Sequence, residues 1–312
     1  MNGTVQSTFA IITFVEIIVG YLGNGFIALV NFMDWVKRRR ISTTDQILSA
    51  LAIFRIVALC IGLISTLVLA FSPDLFITEG MLRLINVTWM VTNHFTLWLS
   101  TSLNTFYFLK IANFSNSTFL YLQWRVKKVV SKILLVSLFF LFLNIALASK
   151  HTDVWSDAYK KNISYNSKLR EFGHIFKTLT FINCLSTFLP FILSVTNLLL
   201  LIFSMWKHLK KMQHVAKGCT NASTAAHMKA LQTGFASLLF NIIFFLVLII
   251  QIASFEFLGE NFAIMYDQVI GVTFHSSHTF VLILGNSKLR QASLSVLRWL
   301  RYRSKHTESP GQ

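Results

Sequence analysis

Two histidines in the last long apolar stretch of the chain have a spacing that would suit chemistry. His275 and His278 lie three residues apart, so on a helix their rings share one face. A protein metal site would need a third ligand and carboxylate partners behind the imidazoles. We therefore expect hydrogen-bonded packing of this pair, without a bound metal or cofactor. The chain has no Gly-rich phosphate loop and no Ser-His-Asp arrangement, so the sequence does not indicate an enzyme.

Arg55 is the one basic residue inside the second apolar stretch. A charge in the middle of a membrane helix costs about 2.5–3.5 kcal/mol on insertion scales, so Arg55 must be paired or hydrated. Candidate partners are Glu16, Asn24 and the polar groups of the last apolar stretch, which include His278. The favoured interpretation is a structural clamp between helices, and the alternative is a switch element that moves.

Trp89, Asn93 and Gln268 form a candidate binding site for a small ligand. Trp89 and Asn93 are four residues apart and share a helix face, while Gln268 lies near the corresponding end of the last stretch. An aromatic ring beside a carboxamide suits an organic molecule with one or two polar atoms. The alternative places Trp89 in the aromatic belt of a membrane interface and Asn93 in a hydrogen bond between helices.

Basic residues follow several of the apolar stretches. Lys110 ends the third stretch, and Lys207 and His208 end the fifth. Cations at helix C-termini complement the helix dipole and anchor to lipid headgroups. The sharper hypothesis is that these ends together form a basic cradle for a cytoplasmic partner.

The composition requires that these residues be positioned by membrane helices. The chain has 312 residues, of which 54% are hydrophobic and 13% charged, against about 25% charged residues in a typical soluble domain. Thirty Phe in long apolar runs exclude a disordered chain, and three Cys cannot form a disulfide framework. The net charge of +16 would suit a nucleic-acid binder, but the basic residues lie beside the apolar stretches, so we expect no nucleic acid.

Seven stretches are long and apolar enough for helices that cross a membrane. They lie near 7–33, 46–71, 84–109, 130–149, 179–206, 230–255 and 263–285. The predicted fold is an all-α membrane protein, with a seven-transmembrane helix bundle at 1–285 and a tail at 286–312. In the tail Leu289, Ala292 and Leu300 recur at helical spacing among Lys288 and other cations, which predicts a short amphipathic helix bound to anionic lipid.

The distribution of Lys and Arg predicts the orientation of the bundle. Most of the 28 lie in the first, third and fifth loops and in the tail, which should therefore be cytoplasmic. The N-terminus is then extracellular, although six basic residues in the outside loop 150–178 weaken the signal locally. Asn162 begins an Asn-Ile-Ser sequon in that loop and is the expected glycosylation site, whereas Asn2 and Asn86 are left open.

Several segments carry a more specific signal. The chain reads Leu-Ala-Ile-Phe-Arg at 51–55, Phe-Tyr-Phe-Leu-Lys-Ile-Ala at 106–112 and Leu-Gly-Asn-Ser-Lys-Leu-Arg at 284–290. Seven spans with an outside N-terminus are the plan of a G-protein-coupled receptor, but no Asp-Arg-Tyr follows the third span. The motifs and their order along nearly the whole chain resemble the type 2 family of bitter taste receptors.

The resemblance implies a function and a set of functional residues. It implies that bitter small molecules bind from outside the plasma membrane and that a gustducin-type heterotrimeric G protein then activates phospholipase C and calcium release. Trp89, Asn93 and Gln268 match pocket positions, Phe244 and Phe245 would supply an apolar wall, and Asn162 matches the usual glycosylation site. Structural or switch roles are expected at six further positions: Arg55, Asn24, Tyr107, Lys110, His208 and His278.

Two other interpretations of the bundle stay open. One is a seven-helix chemoreceptor of another group, such as a pheromone-type receptor. The other is a small transporter, which would be expected to show inverted repeats and helices broken at mid-membrane. The sequence shows no evident repeat and only three Pro, which makes the transporter the weaker alternative.

Overall fold

The computed structural model describes most of the chain, and every regular element in the described part is an α-helix. The described residues are 3–72, 75, 78–112, 114–159, 165–213, 235–236, 239–240, 242–247, 249–250 and 260–307. The helices are α1 (Gly3–Arg38), α2 (Thr43–Phe71), α3 (Glu79–Ile111), α4 (Ser117–Trp124), α5 (Val126–Tyr159), α6 (Tyr165–Gln213), α7 (Glu260–Gly285) and α8 (Ser287–Thr307).

These helices confirm an all-α membrane protein. The segments Ser7–Arg38, Thr43–Leu69, Val126–Lys150 and Lys177–Ser204 are each long and apolar enough to cross a bilayer. The third predicted stretch lies within α3, and α7 contributes a shorter apolar segment, Val269–Gly285. The sixth predicted stretch, 230–255, is described only in short helical pieces.

The helices pack as a closed bundle with α3 near its centre. α1 packs against α2 and α7, α3 packs against α2, α5 and α6, and α7 also contacts α2 and α6. The largest core cluster joins α1, α2, α3 and α7 through side chains such as Ile27, Leu51, Leu103 and Leu282. Because α3 has neighbours on three sides, its side chains reach most of the interior.

The outside of the bundle is apolar and the interior of α3 is polar, as a membrane protein requires. Large apolar side chains face outward, and Leu135, Phe139 and Phe142 of α5 are each more than half exposed. The interior of α3, in contrast, is polar, and eight of its buried side chains carry a hydroxyl, amide or imidazole: Thr92, Asn93, His94, Thr96, Ser100, Thr101, Ser102 and Thr105. Polar groups therefore face other helices, where partners are available, and not the lipid.

The segment predicted as a loop at 150–178 is mostly helical, which corrects the prediction. α5 continues to Tyr159 and α6 begins at Tyr165, well outside the predicted spans 130–149 and 179–206. Hydrophobicity ends at the edge of a membrane, but a helix satisfies its own backbone and can continue into water. The segment contains no Pro that would stop it.

Candidate ligand pocket and polar interior

The side chain of Trp89, a residue of α3, packs against α7. Its ring lies 5.3 Å from the ring of His275, centroid to centroid, and is tilted by 55°. The indole also covers Gly271 so closely that a Cβ atom at position 271 would collide with it. A glycine is thus needed at position 271, because α3 and α7 approach each other closely there. The ring lies against α7, a placement that an aromatic belt alone does not explain.

Asn93 lies one turn further along α3, on the same face. Its side chain is buried, and its Oδ1 atom has no hydrogen-bond partner among the described residues. A buried carbonyl oxygen without a partner costs about 1–3 kcal/mol. Among the described residues, this amide oxygen is therefore a buried acceptor that is left without a donor.

The structure separates the two phenylalanines predicted as an apolar wall. Phe244 is buried and stacks on Phe274 of α7, with ring centroids 4.1 Å apart. Leu97 of α3 belongs to the same cluster. Phe245 instead stacks on Phe191 of α6 at 5.2 Å. Of these two phenylalanines, only Phe244 packs against α3 and α7, through Leu97 and Phe274.

Two predicted residues are placed only in part, and a third is not placed. Gln268 lies in α7 three residues before Gly271, so its Cα is on the face that Trp89 covers, but its side chain is outside the described part. His208 lies near the end of α6, and its side chain is likewise outside it. Asn162 lies outside the described residues altogether.

Arg55 pairs with the last long helix of the bundle. Its side chain is completely buried, and Nη2 lies 2.6 Å from Nδ1 of His278. Because a guanidinium only donates, the imidazole nitrogen accepts this hydrogen bond. Among the three partners that the sequence suggested, the polar groups of the last stretch are correct.

The other two suggested partners are engaged elsewhere. Glu16 accepts a hydrogen bond of 2.7 Å from the hydroxyl of Thr273. The Nδ2 atom of Asn24 donates to the carbonyl of Gly20 and to that of His275, and Oδ1 accepts from Thr279 at 3.0 Å. α7 is therefore held to α1 and to α2 by separate polar contacts.

The histidine pair has hydrogen-bond partners inside the bundle. Nδ1 of His275 donates to the carbonyl of Gly271 at 2.8 Å, one turn earlier in α7. His278 carries the contact with Arg55. Within the described part of the chain, His, Cys, Asp and Glu side chains do not gather in the groups of three that could hold a metal ion.

A polar contact between α3 and α6, which the sequence reasoning missed, lies deeper in the bundle. Thr101 donates to the carbonyl of Pro190 at 3.1 Å and lies 2.9 Å from the hydroxyl of Ser194. One turn on, Asn197 donates to Thr105 at 2.7 Å. The signal was available, since the two threonines are four residues apart in an apolar helix and must share one face.

The end of the bundle where α1 finishes carries a second polar cluster. Nζ of Lys288 lies 2.8 Å from Asp34, 3.2 Å from Asp45 and 3.1 Å from Oδ1 of Asn31. Asn286 caps α8 by accepting from the amide of Lys288. Lys288 was expected among the lipid-facing cations of the tail, and the structure corrects this, because its ammonium group turns back onto α1 and α2.

The remaining predicted residues of this end lie on α3. Tyr107 packs against the core cluster shared by α1, α2, α3 and α7. Lys110 lies in the last turn of α3 and is exposed. Arg290, Arg298 and Arg301 of α8 are also exposed, beside exposed apolar side chains of the same helix. The exposed part of α8 thus keeps the amphipathic character that the sequence predicts.

Comparison with known proteins agrees with the arrangement of these helices. The family model described as "Taste receptor protein (TAS2R)" matches residues 1–301. Taste receptor type 2 member 14 from Macaca mulatta and from Homo sapiens are each 50% identical over 311 residues, which cover 100% of this chain and 98% of those proteins. Taste receptor type 2 member 125 from Rattus norvegicus is 50% identical over 300 residues, with 96% of both chains covered.

Two lines of evidence therefore agree over the helices that the structure describes. The bundle is an all-α membrane structure with a polar interior, and both the family model and the relatives extend from its first helix into its last. The chain belongs to the taste receptor type 2 family, whose members are G-protein-coupled receptors for bitter taste and not enzymes.

Proposed function

We propose that this receptor binds bitter, mostly hydrophobic small molecules from the extracellular side of the plasma membrane and activates a gustducin-type heterotrimeric G protein. Phospholipase C and calcium release then carry the signal. The observation that carries the proposal is the face of α3 with Trp89 and Asn93, which meets α7 inside the bundle.

The chemistry of this face suits a ligand with a flat apolar body and one donor group. The indole of Trp89 offers a flat apolar surface, and the buried, stacked rings of Phe244 and Phe274 line the contact of α7 with Leu97 of α3. Oδ1 of Asn93 offers an acceptor that fixes the orientation of the ligand. Gln268, whose Cα lies on the same face of α7 as Gly271, is a further contact that the family resemblance implies.

Signal transmission follows from which helices the ligand touches. A ligand shifts an equilibrium between two packings only by its difference in affinity for them. A molecule between α3 and α7 contacts the two helices whose inner polar bonds hold the bundle, through Thr101 to α6 and through His278 to α2. Pro190 lies inside α6 and supplies a hinge at the level of the contact with Thr101.

The opposite end of the bundle supplies a basic surface for the G protein. Lys110 of α3 and Lys207 and Lys210 of α6 are exposed there. With His208 they form the proposed cradle. Because α3 and α6 also carry the polar bonds near Pro190, a change in their packing alters the spacing of these cations.

Calcium imaging in cells that supply a gustducin-type chimera tests the proposed function. A panel of bitter compounds should give concentration-dependent calcium signals, which should disappear in cells without the chimera. Surface labelling of an N-terminal tag confirms that the receptor reaches the membrane. Silence across a broad panel, with surface expression demonstrated, would contradict the proposal.

A further inference from the structure

An apolar groove runs along the lipid-facing side of α1 and α2. It has a volume of about 450 Å³ and is lined by Ala28, Phe32 and Trp35 of α1 and by Ser49 and Ile53 of α2. The groove lies in the half of these helices that ends at the basic loop after α1. Its lining residues include neither Trp89 nor Asn93 of the proposed ligand-binding face.

The walls of this groove are exposed and aromatic. Phe32, Trp35 and Ile53 are 56%, 49% and 55% exposed, and the rings of Phe32 and Trp35 lie 5.8 Å apart. In a membrane such exposed apolar side chains meet acyl chains. A Trp near the end of a transmembrane helix lies at the level of the lipid headgroups. The groove therefore extends from headgroup level into the hydrocarbon.

A strip of four cations, Lys37 to Arg40, lies at the mouth of the groove. It directly follows Trp35 and Val36 and precedes Ile41, which also lines the groove. Arg38 pairs with Asp34 at 2.8 Å, whereas Lys37, Arg39 and Arg40 are exposed and form no ion pair with another described residue.

The backbone at Arg39 fixes the strip beside the groove. Arg39 has a φ of 51°, a left-handed conformation that is uncommon for a residue other than glycine. Its amide donates to the carbonyl of Trp35 at 2.7 Å, which ends α1 in a tight turn. The chain therefore turns at once toward Ile41, so the cations stay at the rim that Trp35 and Ile41 share.

We propose that this groove binds an anionic phospholipid, with one acyl chain along Phe32 and Ile53 and the phosphate at Arg39 and Arg40. Basic pockets between transmembrane helices are known sites for anionic headgroups, and arginine matches the oxygen geometry of phosphate. A sterol would leave the cations without a partner. α8 also carries arginines, but they surround an exposed helix face, which attracts anionic lipid without a defined chain site.

Native mass spectrometry of the purified receptor tests this site. The protein is titrated with phosphatidylserine and with phosphatidylcholine of identical acyl chains. Wild type should retain phosphatidylserine roughly ten-fold more strongly. Both lipids carry the phosphate, but the choline of phosphatidylcholine cancels its charge, whereas the serine carboxylate adds a second charged acceptor for the two arginines. The double variant R39Q/R40Q should lose this preference. The double variant R298Q/R301Q removes the same charge from α8 and should keep it.

A photoactivatable phosphatidylserine gives a readout that needs no variant. Its acyl chain should label the peptides that contain Phe32 and Ile53 in wild-type receptor. Equal retention of the two lipids, an equal loss in both double variants, or labelling confined to other helices would overturn the proposal. Complete displacement of phosphatidylserine by cholesterol, which carries no charge, would identify a sterol site instead. Neither experiment uses an agonist or a G protein, so the outcome is independent of the proposed receptor function.

Discussion

Arg55 shows how one residue imposes an arrangement on its neighbours. A guanidinium that is completely buried requires acceptors, and within the described part of the chain Nδ1 of His278 provides one at 2.6 Å. The bond forms only if the imidazole is neutral and carries no proton on that nitrogen. The pair therefore sets both the rotation of α7 and the tautomer of its histidine.

Replacing His278 by Ala should lower the stability of the receptor by about 2–4 kcal/mol. The change removes the acceptor of a buried charged donor and leaves a cavity. The thermal unfolding midpoint of purified receptor measures the loss. His278→Gln, which keeps an acceptor oxygen, should recover part of it. If Ala and Gln behave alike, the hydrogen bond to Arg55 is not what stabilises α7.

A change at Gly271 tests the proposed ligand-binding face without altering the side chains of Trp89 and Asn93. A methyl group at this position would collide with the indole of Trp89, so Gly271→Ala should push the ring away from α7. Like Trp89→Ala, it should raise the agonist concentration for half-maximal calcium release by roughly ten-fold, the effect of about 1.4 kcal/mol. Dose–response curves at matched surface expression provide the measurement.

A matched glycine variant separates displacement of Trp89 from a general effect of added helix propensity. Gly25 lies in α1, and a Cβ atom there would meet nothing within 4 Å. Gly25→Ala should therefore leave the dose–response curve unchanged. An unchanged curve in both Gly271→Ala and Trp89→Ala would return Trp89 to a purely structural role.

At the scale of helices, the junction of α7 and α8 is held by the bundle as well as by lipid. Leu289 is completely buried in the core cluster, and Lys288 reaches Asp34 of α1 and Asp45 of α2. Asn286 caps the first turn of α8. The first turn of α8 thus belongs to the bundle, and only the rest of the helix presents apolar side chains outward.

Lys288→Met should release this first turn at a modest cost in stability, about 1 kcal/mol, because the ammonium and its partners are partly exposed. A double-mutant cycle with Asp34→Asn isolates the pair, and the two changes together should cost less than their sum. Arg298→Met removes an exposed cation of α8 and should be neutral. Strict additivity in the cycle would show that the ion pair contributes nothing.

The sequence predicted the helices better than it predicted their ends and side-chain directions. Long runs of apolar residues located the spans, because the thickness of the membrane sets the length of such runs. They did not predict that α5 and α6 continue through 150–159 and 165–178, since a helix in water needs no apolar surface. Nor does spacing distinguish Phe244 from Phe245, because adjacent residues on a helix diverge by about 100° and only packing decides which one faces inward.

The same limit applies to the candidate site. Trp89 and Asn93 could be paired from their spacing alone, and the structure places them on one face inside the bundle. The contact of Trp89 with Gly271 could not be predicted, since it depends on the distance between two helices far apart in sequence. Lys288 was predicted wrongly. Its place in an amphipathic helix indicated a lipid contact, whereas the folded chain brings its ammonium group to Asp34.

At the scale of the whole molecule, the charge is concentrated at one end. α1 finishes with Lys37 and Arg38, α3 finishes with Lys110, and Lys288 joins α8 to that same end of α1. An excess of Lys and Arg marks the cytoplasmic side of a membrane protein. The orientation of the receptor, and hence the side from which a ligand enters, can be tested through the sequons at the two ends of the bundle.

Asn162→Gln should abolish one glycan of the receptor expressed in mammalian cells, seen as a loss of the mobility shift on treatment with a glycosidase. Asn116→Gln is the matched control. Asn116 also begins a sequon, but it caps α4 beside the basic end, where its Oδ1 accepts from the amide of Thr118 at 2.9 Å. A cytoplasmic Asn116 meets no glycosyltransferase, so this variant should keep the full shift. If instead Asn116→Gln removed the glycan and Asn162→Gln did not, the basic end would be extracellular. The face of Trp89 and Asn93 would then open toward the cytoplasm, and the proposed route of ligand entry would be wrong.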